Sequence, residues 1–405
     1  MNDITNKYID KTFRAAAFNF VVYAITSISI SISLVHIKND LNFSLTQSAS
    51  FSFISSVEQT LILLFTPVFA SKYGKVKILK ISLFILMVGV LCFSFSINYI
   101  TALLSLLCMG LGTALQEALL TPIVGDLYPE NVNAKMNVMH AFWPLGICGS
   151  LIFIGYLLSI GISWRWVYFS ISLVTFLNFW FYPSSKKIAF NKSNFDMEAA
   201  KKIFKSSSFW FFGLTLFFVG GAEGAFSFWS ATFIQINLNT SVFVAGIITA
   251  FFSLGIMIGR FSSAKLLNLI SIPKMIIISA FLTLSVSFTF CFVDSIYKLS
   301  VFLFFMGIFL ACLWPTVQSY AAVVLPFDST AIMIFLSCFG VPGYSTSSFI
   351  MGMIGDRLGL FYAFIIVVPL FVLFPPILFI IALKKAGRRN YIVERKEESS
   401  TRNRR

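Results

Sequence analysis

Charge is scarce in this chain: 11% of its 405 residues are charged, against roughly one quarter in soluble domains. Acidic residues are scarcer still, 16 against 30 Lys plus Arg, and no segment is polar enough over a domain's length to build a water-soluble core. Histidine is nearly missing, with only His36 and His140. No HExxH, GxxxxGK[ST] or GxSxG pattern occurs, so nothing points to a hydrolase, an ATPase or a metal centre. The six cysteines (Cys92, Cys108, Cys148, Cys291, Cys312, Cys338) all fall in apolar stretches. Their spacing is not that of a zinc site or a redox couple, and they read as packing residues. An enzyme is not expected, nor a cofactor.

What the chain has instead is long hydrophobic runs. Twelve are long enough to span a bilayer, which takes about 20 residues. They run Phe13–His36, Thr46–Ser71, Val76–Ile97, Asn98–Tyr128, Ala134–Ile160, Trp164–Pro183, Ser207–Ile236, Ser241–Asn268, Pro273–Asp294, Ile296–Pro326, Ser329–Ile354 and Leu358–Lys384. The first is too long for a signal-peptide core and is read as retained. With the N-terminus inside, 26 of the 30 Lys and Arg fall in segments on the cytoplasmic side, as basic short loops should. Lys38, Arg165, Lys298 and Arg357 stay outside. The net charge of +14 is therefore a topology signal, not a nucleic-acid surface. The expected organisation is a cytoplasmic N-terminus (1–12), a six-helix bundle (13–183), a Lys- and Ser-rich cytoplasmic loop (184–206), a second six-helix bundle (207–384) and a basic cytoplasmic tail (385–405). That tail can also touch anionic lipid. The product is an integral multi-pass membrane protein.

The two halves align without a gap at an offset of 197. Leu41-Asn42-x-Ser44 matches Leu238-Asn239-x-Ser241, Lys77 matches Lys274, and Met109-Gly110 matches Met306-Gly307. Pro129 matches Pro326, Gly146 matches Gly343, and Gly155 matches Gly352. Two parallel six-helix repeats about an axis along the membrane normal are an architecture of secondary transporters, with the substrate site between the halves near the midplane.

Pro67-Val68-Phe69-Ala70-Ser71-Lys72-Tyr73-Gly74-Lys75-Val76-Lys77 resembles a worn copy of the loop motif G-x-x-x-D-R-x-G-R-K of major facilitator transporters. Pro67 stands at its first Gly and Ser71 at its Asp, a departure that puts the usual inter-helix charge relay in doubt. Gly352-Met353-Ile354-Gly355-Asp356-Arg357-Leu358-Gly359 fits the same pattern better, but between spans eleven and twelve. A narrower resemblance is to the fucose:proton symporter branch. It rests on Gly112–Pro122 with Glu117, on Tyr128-Pro129-Glu130, and on Asn137-x-x-His140-x-Phe142-x-x-x-Gly146. Gly221-Ala222-Glu223 with Trp229, and Gly255–Arg260, belong to it too. The resemblance implies an all-α fold of twelve transmembrane helices in two pseudo-symmetric bundles, alternating access, a monomer, and a proton-coupled glutamate at position 117. The branch pairs that glutamate with an Asp in helix one, where Thr26–Ser33 offers hydroxyls only.

Three glutamates lie well inside spans: Glu58, Glu117 and Glu223. A charge at the bilayer centre costs at least about 2.5 to 3.5 kcal/mol, and no Lys or Arg is placed mid-span by the sequence to pair with them. Each must meet water, find donors or hold its proton, or else serve as a protonated bridge between helices. Glu117 and Glu58 are the candidates for proton coupling. The candidate substrate-binding residues are Glu117, His140, Trp143, Glu223, Trp229, Trp314 and Gln318. His140 is a possible partner of Glu117 or of a backbone carbonyl. Trp314 falls opposite Glu117 by the repeat, and Gln318 shares its helical face. A carboxylate facing an indole suits a polyhydroxy solute, so the expected function is transport of a small polar organic solute such as a sugar, with or without protons. Export of lipophilic compounds, for which the 49 Phe would supply an apolar cavity, and solute sensing without transport are the competing readings.

Overall fold

The computed structural model describes residues 3–128, 132–183, 197–266, 269–327 and 329–402. The first half holds α1 (Asp3–Leu41), α2 (Leu45–Tyr73), α3 (Lys75–Ser94), α4 (Tyr99–Leu127), α5 (Val132–Ser159) and α6 (Trp164–Phe181). A short α7 (Met197–Phe204) stands in the predicted central loop. It presents Lys201 and Lys202 to one side and the buried Ile203 to α8. The second half holds α8 (Ser207–Asn237), α9 (Val242–Leu266), α10 (Ile272–Phe288), α11 (Ile296–Leu310), α12 (Leu313–Val324), α13 (Ser329–Leu358) and α14 (Leu360–Arg402). No strand occurs among the described residues.

Among the described residues, eleven helical segments are long and apolar enough to cross a membrane. The remaining crossing is α6, whose mean hydropathy is lowered by Trp164, Arg165 and Trp166 at its head. Its 18 residues still reach about 27 Å at 1.5 Å per residue, and its buried face packs on α3 and α1. The tenth predicted span is two helices. Pro315 has no N–H to give the Ala311 carbonyl, so the ladder breaks at Ala311 and Cys312, although both keep helical dihedrals and the crossing continues. The predicted tail also differs, because α14 runs on helically to Arg402.

The repeat is reproduced down to backbone angles. Asn42 and Asn239 are the described non-glycine residues with positive φ, 53° and 48°; asparagine tolerates this left-handed turn better than most residues. Two residues on, Ser44 accepts from the Gln47 N–H at 3.1 Å and Ser241 from the Val244 N–H at 3.3 Å, each capping a helix start. The halves then meet through exchanged contacts. Gly155 on α5 packs against the backbone of Val242 and Phe243 on α9, and Gly352 on α13 packs against Leu45 and Ala49 on α2.

These contacts, and the turns after α1, α5 and α13, lie on the face opposite that carrying the ends of the described chain, here called the far face. There the halves are closed against each other. Toward the termini face α4 and α12 make no substantial packing contact. Outside the bundle, large apolar side chains such as Phe84, Phe153, Trp180 and Phe281 are exposed, as a lipid-facing surface requires.

Glycine sets how near the helices come. A Cβ on Gly307 would overlap the Phe252 carbonyl of α9 and press on Gly255. Gly307→Ala should therefore destabilise the protein by about 1–3 kcal/mol, the usual cost of overpacking, lowering its melting temperature in detergent. Gly387→Ala, in open space on α14, should not.

Candidate functional site

α1 packs against α2, α4, α5, α6, α8 and α9, so whatever surface it leaves accessible at mid-length faces the interior of the protein. Ser27 is exposed there and Tyr23, one turn earlier, is half-buried. The neighbouring hydroxyls are committed elsewhere. Thr26 donates to the Val22 and Tyr23 carbonyls, Ser29 to Thr26, and Ser31 crosses to the Ser227 and Phe228 carbonyls of α8 at 3.0 and 2.8 Å. One hydroxyl of this run, Ser27, is thus left accessible.

Glu117 on α4 is exposed although most of its helix neighbours are buried. Tyr23 is within electrostatic reach of its carboxylate. The Tyr23 ring also meets that of Trp143 on α5, with centroids 4.5 Å apart and planes tilted by 58°. Tyr23 therefore brings two of the sequence candidates, Glu117 and Trp143, into one cluster. His140 lies on α5, but its side chain is outside the described residues.

Glu223 on α8 is half-buried and has a cation in electrostatic reach, Arg260 on α9. This corrects the expectation that no basic residue serves the mid-span glutamates. Arg260 lies within the apolar stretch Val242–Ser263 of α9, not in the loop beyond it, and its Nε is buried without a partner. Tyr344 on α13 is also within electrostatic reach of Glu223 and of Tyr23. One carboxylate from each half thus has a tyrosine within electrostatic reach, and the two tyrosines are within reach of each other. Sequence reasoning missed both tyrosines, whose only signal was a hydroxyl at mid-span.

The other candidates are more dispersed. Trp314 is half-buried, with its ring seated on Gly340 and Gly220 of its own half. Gln318 donates to Ser337 Oγ at 2.9 Å. Trp229 is fully buried and donates from Nε1 to the Ser348 carbonyl at 2.9 Å, which places it in the α8–α13 packing and away from the accessible surface. Glu58 does not join Glu117. It stands between α2 and α4 against Gly110, in a groove of about 560 Å³ lined by Phe53, Ile54, Val57, Leu61, Leu107 and Leu111. Its Oε2 is buried without a hydrogen-bond partner. No group of three or more metal-ligating side chains occurs among the described residues.

Ion pairs stand at the ends of the helices. Lys75 Nζ meets Asp126 at 2.6 Å on the termini face. On the far face Arg165 pairs with Asp40, which also accepts from Trp164 Nε1 at 3.0 Å. Before α11, Asp294 lies 2.7 Å from Lys298 in the first turn of that helix, and this pairing holds its carboxyl below the usual carboxylate range.

The burial of Trp229 separates structure from binding. Trp229→Phe should cost about 1 kcal/mol through the lost hydrogen bond, seen as a lower melting temperature, while solute binding to the purified protein keeps its wild-type affinity.

The sequence matches the major facilitator superfamily profile over residues 15–296 and 233–403. None of the curated proteins matches it. Among solved structures, a bacterial homologue of the human lysosomal transporter Spinster, inward-facing and unoccupied, superposes with a TM-score of 0.68 at 15% identity, covering 95% of this chain and 97% of that one. Its inward-facing occupied form gives 0.69, with the same identity and coverage. A variant of the E. coli fucose:proton symporter gives 0.66 at 17% identity, over 93% of this chain and 98% of that one. The chain belongs to the major facilitator superfamily and is a multi-pass membrane transporter of its twelve-helix, two-bundle fold.

Proposed function

We propose that this transporter moves a small polar organic solute, a sugar or related metabolite, by alternating access, and that Glu117 couples the movement to protons. The observation that carries this reading is an accessible carboxylate well inside α4, within reach of Tyr23, in a protein whose two halves are closed against each other on the far face. Ser27, Tyr23 and Glu117 offer donors and acceptors for solute hydroxyls, and Trp143 offers an apolar ring for the C–H side. The similarity to a fucose:proton symporter supports both the solute class and the coupling. By the distribution of Lys and Arg, the termini face is cytoplasmic, and the conformation is then inward-open.

Coupling follows from the cost of the charge. While the chamber is open, water solvates an ionised Glu117. Closing both ends around it would strand a carboxylate in a low-dielectric interior, at a cost of at least about 2.5 to 3.5 kcal/mol. A proton taken up from the side of higher proton activity removes that cost and lets the loaded carrier turn over. Glu117→Gln, permanently neutral, should abolish gradient-driven uptake into liposomes while leaving solute counterflow largely intact. Loss of neither activity would overturn the coupling role.

Export of lipophilic compounds is the second reading, and the apolar groove around Glu58 favours it. It expects bulky hydrophobic cations to compete with the transported solute; indifference to them would remove it.

A further inference from the structure

Asp356 lies in the last turn of α13, where a negative charge opposes its own helix dipole. Its position is explained by the other half of the protein. Oδ1 accepts the Leu45 N–H at 2.9 Å, and Oδ2 accepts the Thr46 N–H at 2.8 Å and the Thr46 hydroxyl at 2.5 Å. These amides open α2, whose Ser44 cap serves Gln47 and leaves the first two N–H groups unsatisfied. The carboxylate of one half thus completes the N-terminus of a helix in the other, where the dipole favours an anion. Gly352, one turn back, makes the approach possible: a Cβ there would meet Ala49 Cβ at 2.7 Å and the Leu45 carbonyl at 2.9 Å.

The internal repeat supplies a control within the same molecule. At the equivalent interface Gly155 approaches Val242 in the manner of Gly352 and Leu45, but Ser159 stands at the position equivalent to Asp356. Its hydroxyl donates to the Tyr156 carbonyl of its own helix at 2.7 Å. The ion pairs Lys75–Asp126, Arg165–Asp40 and Lys298–Asp294 each stay within one half. On the termini face, Ser71 stands where the family's loop motif carries its Asp.

We propose that Asp356 is a positioning residue for transport: a one-sided latch that holds the far ends of α2 and α13 together and biases the carrier toward the state open on the termini face. The latch has to release each time the far face opens. This rests on the alternating-access reading but not on the identity of the solute or on Glu117.

The test is a distance measurement between spin labels at Ile160→Cys and Tyr297→Cys, exposed far-face positions in the two halves, in a cysteine-free background in liposomes. Asp356→Ala should raise the ratio of far-open to far-closed populations roughly three- to tenfold, the scale of a charge at a helix N-terminus with its hydrogen bonds. Asp356→Glu should restore part of the closed population, and Arg357→Gln should leave it as in the parent. Thr46→Val, which removes a single donor and keeps the charge, should shift the ratio about twofold in the same direction and guards against misfolding of the alanine variant. Unchanged distance distributions in both Asp356→Ala and Thr46→Val would overturn the latch. A shift that persists in a Glu117→Gln background, or in protein that moves none of the polar solutes tested, would support the latch while separating it from the coupling and solute readings.

Discussion

A carboxylate at mid-bilayer depth has to meet water, a cation or a hydrogen-bond donor, and the three intramembrane glutamates of this chain meet that demand in three ways. Glu117 reaches accessible space and lies near Tyr23. Glu223 is neighboured by Arg260 and Tyr344. Glu58 is left with one oxygen unpartnered, wedged against Gly110 in an apolar groove. The first solution requires a chamber, and a chamber in turn requires two bundles that close on one side without filling the middle.

The duplicated sequence builds that enclosure, and the two halves depart from their symmetry where the carboxylates stand. Where α9 and α11 close on each other through Gly255 and Gly307, the equivalent crossing of α2 and α4 holds Glu58 against Gly110. Where α4 carries Glu117, the equivalent position holds Trp314, seated on glycines of its own half. Where α13 ends in Asp356, α5 ends in Ser159. Each of these exchanges puts a carboxylate in one half where the other half has none.

Much of this was legible in the sequence, because the signals were local or periodic. The offset of 197 located Asn42 and Asn239, and the same left-handed turn and serine cap follow both. The break between α11 and α12 at Pro315 was not read from the sequence, where Ile296–Pro326 stood as one span. Glu117 stood out because an acid is costly in an apolar run. What could not be read were contacts between helices distant in the chain. Nothing local distinguishes Trp229, buried on Ser348, from Trp143, beside Tyr23. Tyr23 and Tyr344 carry no mid-span penalty that would single them out, and Arg260, inside the predicted eighth span, was counted only with the cytoplasmic charges. Proximity in the fold gave these residues their place.

The central claim is a water-accessible chamber at the level of Glu117, closed on the far face. Its most direct measurement is the reactivity of Ser27→Cys, in a cysteine-free background, toward a membrane-impermeant thiol reagent added to one side of the membrane at a time. The account predicts modification from the termini face and strong protection from the far face. A residue unreactive from both sides, and modified only by lipid-soluble reagents, would contradict it.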